Sequence, residues 1–219
     1  METLLLMGEP GSGKTSIMRR IIQVLGPAGG ELRNNQTPDG RRLNFAYATV
    51  YPKWRVAIFG KYDGSPYDGT DRMGRNTQPC AEVLLMAMAA MPSMKHFVVL
   101  IEGDRLTTPS FIETAEMCSD KLTLMRLVVS PSTGEMRRAH RLKEDAQWLK
   151  TASPKVAGKP RREGRSSGQD ATWLAGRMTK LDNIANRWTV YSYPNDTRPQ
   201  QTVNWERLYN YVTLGEFVP

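Results

Sequence analysis

The chain has 219 residues, 40% of them hydrophobic and 24% charged, and carries a net charge of +8. These are globular proportions, the length suffices for one domain with a real core, and no apolar run approaches the roughly 20 residues that span a bilayer. Without the basic region and long apolar stretch of a signal peptide, and with two cysteines (Cys80 and Cys118) that make neither a disulfide framework nor a metal-ligand spacing, a cytoplasmic protein with reduced thiols is expected.

Taken in chain order, residues 3–7 (Thr-Leu-Leu-Leu-Met) read as a short buried strand feeding straight into a glycine-rich loop. Residues 16–25 read as a helix with Ile17, Ile21, Val24 and Leu25 on one face, stopped by Gly26-Pro27 and Gly29-Gly30. From 44 to 60 the chain is rich in Val, Ile, Tyr, Phe and Trp with a break at Pro52-Lys53, which predicts two adjacent strands or a hairpin. Residues 60–79 form a Gly- and Asp-rich loop too long for a mere connector.

A helix is predicted over 77–91, with Pro79 in its first turn and Pro92 past its end, and an all-apolar strand over 97–101. A short helix over 109–118 precedes a strand over 122–129 whose pattern Arg126 interrupts. Residues 135–150 read as a basic helix, 153–168 as a Pro-, Gly-, Ser- and Arg-rich mobile segment, and 171–185 as helix again. A strand at 188–193 and a helix at 203–212 close the chain. Strands separated by helices predict an α/β fold in three layers, a parallel sheet covered by helices on both faces.

The loop Gly8-Glu9-Pro10-Gly11-Ser12-Gly13-Lys14-Thr15 fits the P-loop pattern in its expected context, strand before and helix after. Glycines let the backbone wrap with its N–H groups inward, and the following helix adds its positive end. Lys14 is expected on the β- and γ-phosphates of ATP, and the Thr15 hydroxyl on Mg²⁺.

Such a loop needs an acid at the end of a neighbouring strand. Glu102 and Asp104, in the run Val98-Val99-Leu100-Ile101-Glu102-Gly103-Asp104-Arg105, are the candidate metal ligands, and Arg105 a candidate phosphate contact. In Gly69-Thr70-Asp71-Arg72, Asp71 is the candidate base or acceptor-hydroxyl ligand, and Arg72 a candidate to neutralise charge on the transferred group. Asp63 and Asp68 fit ordinary turns equally well, and Asn195-Asp196-Thr197 reads either as a turn or as an approach to the nucleotide base.

The charge is uneven. Thirteen Lys or Arg stand against six Asp or Glu between Glu135 and Arg187, so nearly all the excess lies in one quarter of the chain. The position suits a lid closing over phosphates, with Arg137, Arg138 and Arg141 at helical spacing and Arg177 and Lys180 further on. It equally suits attraction of a DNA backbone.

With these residues assembled, the chain resembles the thymidylate-kinase-like branch of P-loop kinases, on its phosphate loop, its Asp104-Arg105 pair and its late arginines. It is more similar still to bacteriophage kinases that phosphorylate 5-hydroxymethyldeoxyuridine within DNA. That resemblance rests on Gly-Thr-Asp-Arg at 69–72, Glu-Gly-Asp-Arg-Leu at 102–106 and Gly-Arg-Met-Thr-Lys at 176–180 with Asn183-Ile184. It implies ATP-dependent phosphorylation of the hydroxymethyl group, a step in thymidine hypermodification, on a base that leaves the stack. Two other readings are a deoxynucleoside monophosphate kinase acting on free nucleotides and a DNA-associated P-loop ATPase.

Overall fold

A computed structural model of the chain describes residues 1–62, 68–70, 73–74, 76–151 and 171–214. The described residues form seven strands and six α-helices. The first half comprises β1 (Glu2–Gly8), α1 (Lys14–Leu25), β2 (Gly30–Gln36), β3 (Arg42–Tyr51), β4 (Val56–Phe59), α2 (Gln78–Ala90) and β5 (Val98–Glu102). The second comprises α3 (Pro109–Cys118), β6 (Lys121–Val128), α4 (Pro131–Thr151), α5 (Ala171–Ala185), β7 (Val190–Pro194) and α6 (Arg198–Leu214). No helix among the described residues is long and apolar enough to cross a membrane.

The strands join one sheet in the order β2-β3-β4-β5-β1-β6-β7. Strands β4, β5, β1, β6 and β7 run parallel, but β2 pairs antiparallel with β3, and β3 antiparallel with β4. The sheet is therefore mostly parallel, not wholly so. The reason is local: one 3₁₀ turn, Pro52–Trp54, joins β3 to β4, and a parallel return needs a crossover of a dozen residues or more.

Because β1 is central, its apolar run faces a helical layer on each side. Leu5 and Met7 pack with Leu85, Met88, Phe111 and Ile184 of α2, α3 and α5. Leu4 and Leu6 pack with Ile17, Met18 and Ile21 of α1 and with Leu208, Tyr211 and Val212 of α6. Full burial of each such side chain stabilises the fold by roughly 1.5–3 kcal/mol, so a charge at Ile21 would detach α1 and the loop ahead of it.

Several sequence boundaries move for identifiable reasons. Helix α4 begins at Pro131, with the Ser130 hydroxyl accepting from the Thr133 N–H at 3.4 Å. Helix α6 begins at Arg198, where Thr197 Oγ1 accepts from the Gln200 N–H and Gln200 Oε1 accepts from that of Thr197, a reciprocal cap ahead of the first apolar residue. Arg126, which breaks the apolar pattern of β6, is nearly buried and donates from Nη1 to Asp182 Oδ1 of α5 at 2.9 Å. Cys80 and Cys118 are free thiols, and burial raises the pKa of both.

Candidate functional site

The glycine loop joins the carboxyl end of β1 to the first turn of α1, so the orphan N–H groups of that turn open toward it. Gly13 caps α1 at φ 93°, a left-handed conformation that favours glycine, and a Cβ there would lie 2.7 Å from Asn195 Nδ2. The Lys14 ammonium turns back across the loop and donates to Gly8 O at 2.7 Å, Glu9 O at 3.0 Å and Ser12 Oγ at 3.3 Å. A buried cation thus sits inside a ring of backbone, with Gly11, Ser12 and Gly13 on its rim. Burial raises the Glu9 carboxyl, against the lowering influence of Arg126, Lys14 and Arg138.

Thr15 Oγ1 donates to Glu102 Oε1 at 3.2 Å. Glu102 ends β5, the neighbour of β1, and is only 2% exposed. Three further residues hold it. Tyr62 Oη donates to the same carboxylate oxygen at 3.2 Å, and Thr70 Oγ1 donates to the Glu102 carbonyl at 2.7 Å. Gly69, at φ 83°, lies so close that a Cβ would sit 2.1 Å from Glu102 Oε1. Sequence reasoning missed Tyr62 because nothing in its neighbourhood marks a contact 40 residues away.

Asp104 has different company. Its carboxylate lies 3.6 Å from Arg177 Nη2, and its carbonyl accepts from Lys180 Nζ at 3.1 Å. Burial and the nearby Arg177 lower the Lys180 pKa, while Asp104 works in the opposite direction. Arg105 follows it, half-buried. Of the two acids proposed as metal ligands, Glu102 therefore stands with Thr15, and Asp104 with the two cations of α5.

The late arginines reach the loop itself. Arg137 donates to Gly11 O at 3.2 Å and to the carbonyls of Asn195 and Asp196 at 2.7 Å each, and Arg138 donates to Pro10 O at 3.1 Å. Asn195, buried, donates from Nδ2 to Ser12 O at 2.6 Å and is itself fixed by Asn204. The segment after β7 thus braces the loop from outside. Beside it lies a cleft of about 160 Å³ between Gly13, Ser16, Arg20, Arg137, Gln201 and Trp205. The Arg20 guanidinium stacks over Trp205 at 3.8 Å.

Asp68, which also fits a plain turn, is buried and accepts from Arg19 Nε at 2.8 Å. Asp71, Arg72 and the basic stretch 153–168 lie outside the described residues, and of the Arg141 side chain nothing is described. Among the described residues no three His, Cys, Asp or Glu side chains gather as a metal site. One hydroxyl and one carboxylate still suit Mg²⁺, which takes few protein ligands and fills its shell with water and phosphate oxygens. No protein-family model matches the chain, and no curated protein matches it in sequence.

Proposed function

We propose that the chain is a P-loop kinase that transfers the γ-phosphoryl group of ATP to the hydroxymethyl oxygen of 5-hydroxymethyluracil in DNA. The observation that carries the kinase reading is the Thr15 hydroxyl 3.2 Å from the buried Glu102 carboxylate, at the mouth of a glycine loop that encloses Lys14. The resemblance at 69–72, 102–106 and 176–180 supports the acceptor.

On this reading the loop N–H groups and Lys14 bind the phosphates, with Lys14 exchanging its carbonyl partners for β- and γ-phosphate oxygens. Thr15 and Glu102 would hold Mg²⁺, directly or through its waters, and the ion would supply charge neutralisation on those oxygens. The cleft beside Trp205 receives the adenine, and Arg137 fixes the loop against it. The acceptor oxygen attacks the γ-phosphorus as the bond to the β-phosphate oxygen breaks. ADP leaves, and the acceptor proton passes to Asp71, assigned on sequence grounds. Arg177 and Lys180, gathered at Asp104, supply the positive charge facing the transferred group.

The test is incubation with γ-labelled ATP and Mg²⁺ against DNA containing hydroxymethyluracil, ordinary DNA and free deoxynucleotides in parallel. Label in the modified DNA alone is expected. Label confined to free nucleotides would make the chain a deoxynucleoside monophosphate kinase, and DNA-stimulated phosphate release without a labelled acceptor would make it an ATPase.

A further inference from the structure

At the other end of the sheet a cleft of about 650 Å³ opens between the β2–β3 turn and the start of α2. That volume falls within the roughly 300–1,000 Å³ range of small-ligand sites. Its apolar lining comes from Pro38, Leu43 and Pro79, and its polar groups include the amides of Asn76 and Gln78. One N–H of the Gln78 amide donates to Glu82 Oε1 at 2.9 Å, which leaves its second N–H as a donor and its oxygen as an acceptor.

The turn is a built edge rather than a loose one. Thr37 N–H donates to Arg41 O at 2.9 Å, Gly40 N–H donates to Thr37 O at 2.9 Å, and Arg41 Nε donates to Asp39 Oδ2 at 2.7 Å. The cation and the carboxylate on the lining therefore neutralise one another. A phosphate finds no net charge here, whereas a neutral planar group with an amide edge finds an apolar floor and matching donors and acceptors, which is how unstacked bases are bound.

The position of the cleft limits which base this is. Strand β3 begins, and β4 and β5 end, on the side of the sheet where Glu102 lies. Glu102 is level with Tyr47 of β3, two strand spacings away (about 10 Å), and Leu43 on the cleft lies four residues further along β3 (about 13 Å), so the cleft stands about 16 Å from Glu102. That is about five nucleotides at the roughly 3.4 Å rise of a stacked strand, and fewer in a stretched one. A base in the cleft therefore lies too far from Glu102 to be the one that receives phosphate, and a free nucleotide cannot reach both places.

We propose that this cleft binds a base flanking the acceptor nucleotide, so that the enzyme grips a single-stranded stretch of polymer at two points. The proposal rests on the kinase reading above for its acceptor. The experiment uses single-stranded oligonucleotides with a central 5-hydroxymethyluracil and a photoreactive 5-iodouracil placed two to five positions to either side, cross-linked to the full chain and mapped by mass spectrometry. Cross-links from a flanking position to residues 37–43 or 76–79 are expected. In parallel, the double variant Asn76→Ala, Gln78→Ala should weaken oligonucleotide binding, read by fluorescence anisotropy without ATP, by about tenfold, and leave binding of a labelled ATP analogue unchanged.

Cross-links found only elsewhere, or undiminished oligonucleotide affinity in the double variant, would overturn the proposal. The two readings fail separately. Cross-linking at the cleft without any phosphoryl transfer removes the kinase and keeps the base site, while transfer to DNA that ignores both amides removes the base site and keeps the kinase.

Discussion

Thr15 and Glu102 stand 87 residues apart in sequence and 3.2 Å apart in space, one in the first turn of a helix and the other at the end of a central strand. Their contact joins the start of α1 to the end of β5 and puts a hydroxyl and a carboxylate at one point on the rim of the glycine loop. If Mg²⁺ is held there, Glu102→Gln and Thr15→Ala should each lower phosphoryl transfer by about 10²–10³-fold, in line with the loss of a preorganised charge-stabilising group. Thr15→Ser keeps the hydroxyl and should restore most of the rate. Titrating Mg²⁺ in each variant is the check: an unchanged metal dependence in Glu102→Gln would move the ion away from this pair.

Gly13→Ala should destabilise the fold by about 1–3 kcal/mol through its left-handed backbone alone. The added Cβ also meets Asn195 Nδ2 at 2.7 Å. Urea unfolding in a double-mutant cycle separates the two parts. In an Asn195→Ala background the steric part disappears, and Gly13→Ala should be milder there. Equal losses in both backgrounds would show that the neighbour yields freely.

The Arg126–Asp182 pair ties β6 to α5. Arg126 is 10% exposed in its side chain and Asp182 58% exposed, so removing the acid leaves a nearly buried guanidinium short of an acceptor. Asp182→Ala should therefore destabilise by about 1–3 kcal/mol. Arg126→Met, which removes the buried donor instead, should lose less. Chemical denaturation of the two variants side by side decides it, and the reverse ranking would contradict the account.

A pH effect follows from Asp196. The Ser130 backbone N–H, at 2.8 Å, and the Ser130 hydroxyl, at 2.8 Å, hold its carboxyl below the usual carboxylate range. A carboxyl whose folded pKa is depressed stabilises the fold above its unfolded value, near 3.8, and loses that contribution as pH falls through the lower, folded pKa. Thermal melts of wild type and Asp196→Ala should differ at pH 5 to 7 and converge toward pH 2. A gap that stays constant into acid would assign the stabilisation to something other than this charge.

Where local pattern decides structure, the sequence is readable. The strand predicted at 97–101 forms one residue later, at 98–102, and the helices at 109–118 and 171–185 lie where apolar periodicity and proline positions put them. Strand β2, Gly-Glu-Leu-Arg-Asn-Asn-Gln, escapes such reading because it lies at the sheet edge and has only one covered face. What holds Asn34 there is a hydrogen bond from its amide to the Cys80 carbonyl, with no apolar signature. The candidate site divides similarly. The glycine loop and Glu102 announce themselves by residue type and context. Arg137 and Asn195 also stand out, by charge and by place after the last strand, but that they and Tyr62 act through backbone or carboxylate contacts 40 to 183 residues distant is something no spacing encodes.

The central place of β1 has a consequence for biosynthesis. Its two partners in the sheet are residues 98–102 and 121–128, both made long after it. A ribosome that has released only the first ninety residues has made the glycine loop and α1 but neither neighbour of the strand that carries them. Pairings of such long sequence separation form slowly, after their loop-closure entropy is met. Glu102 arrives with the first of these partners and the bracing Arg137 and Arg138 after both, so a partial chain holds the glycine-loop sequence without the means to shape it. If the loop binds ATP as proposed, binding should begin abruptly during synthesis, once the bracing arginines have emerged, and arrested nascent chains of graded length probed with a labelled ATP analogue would locate that point.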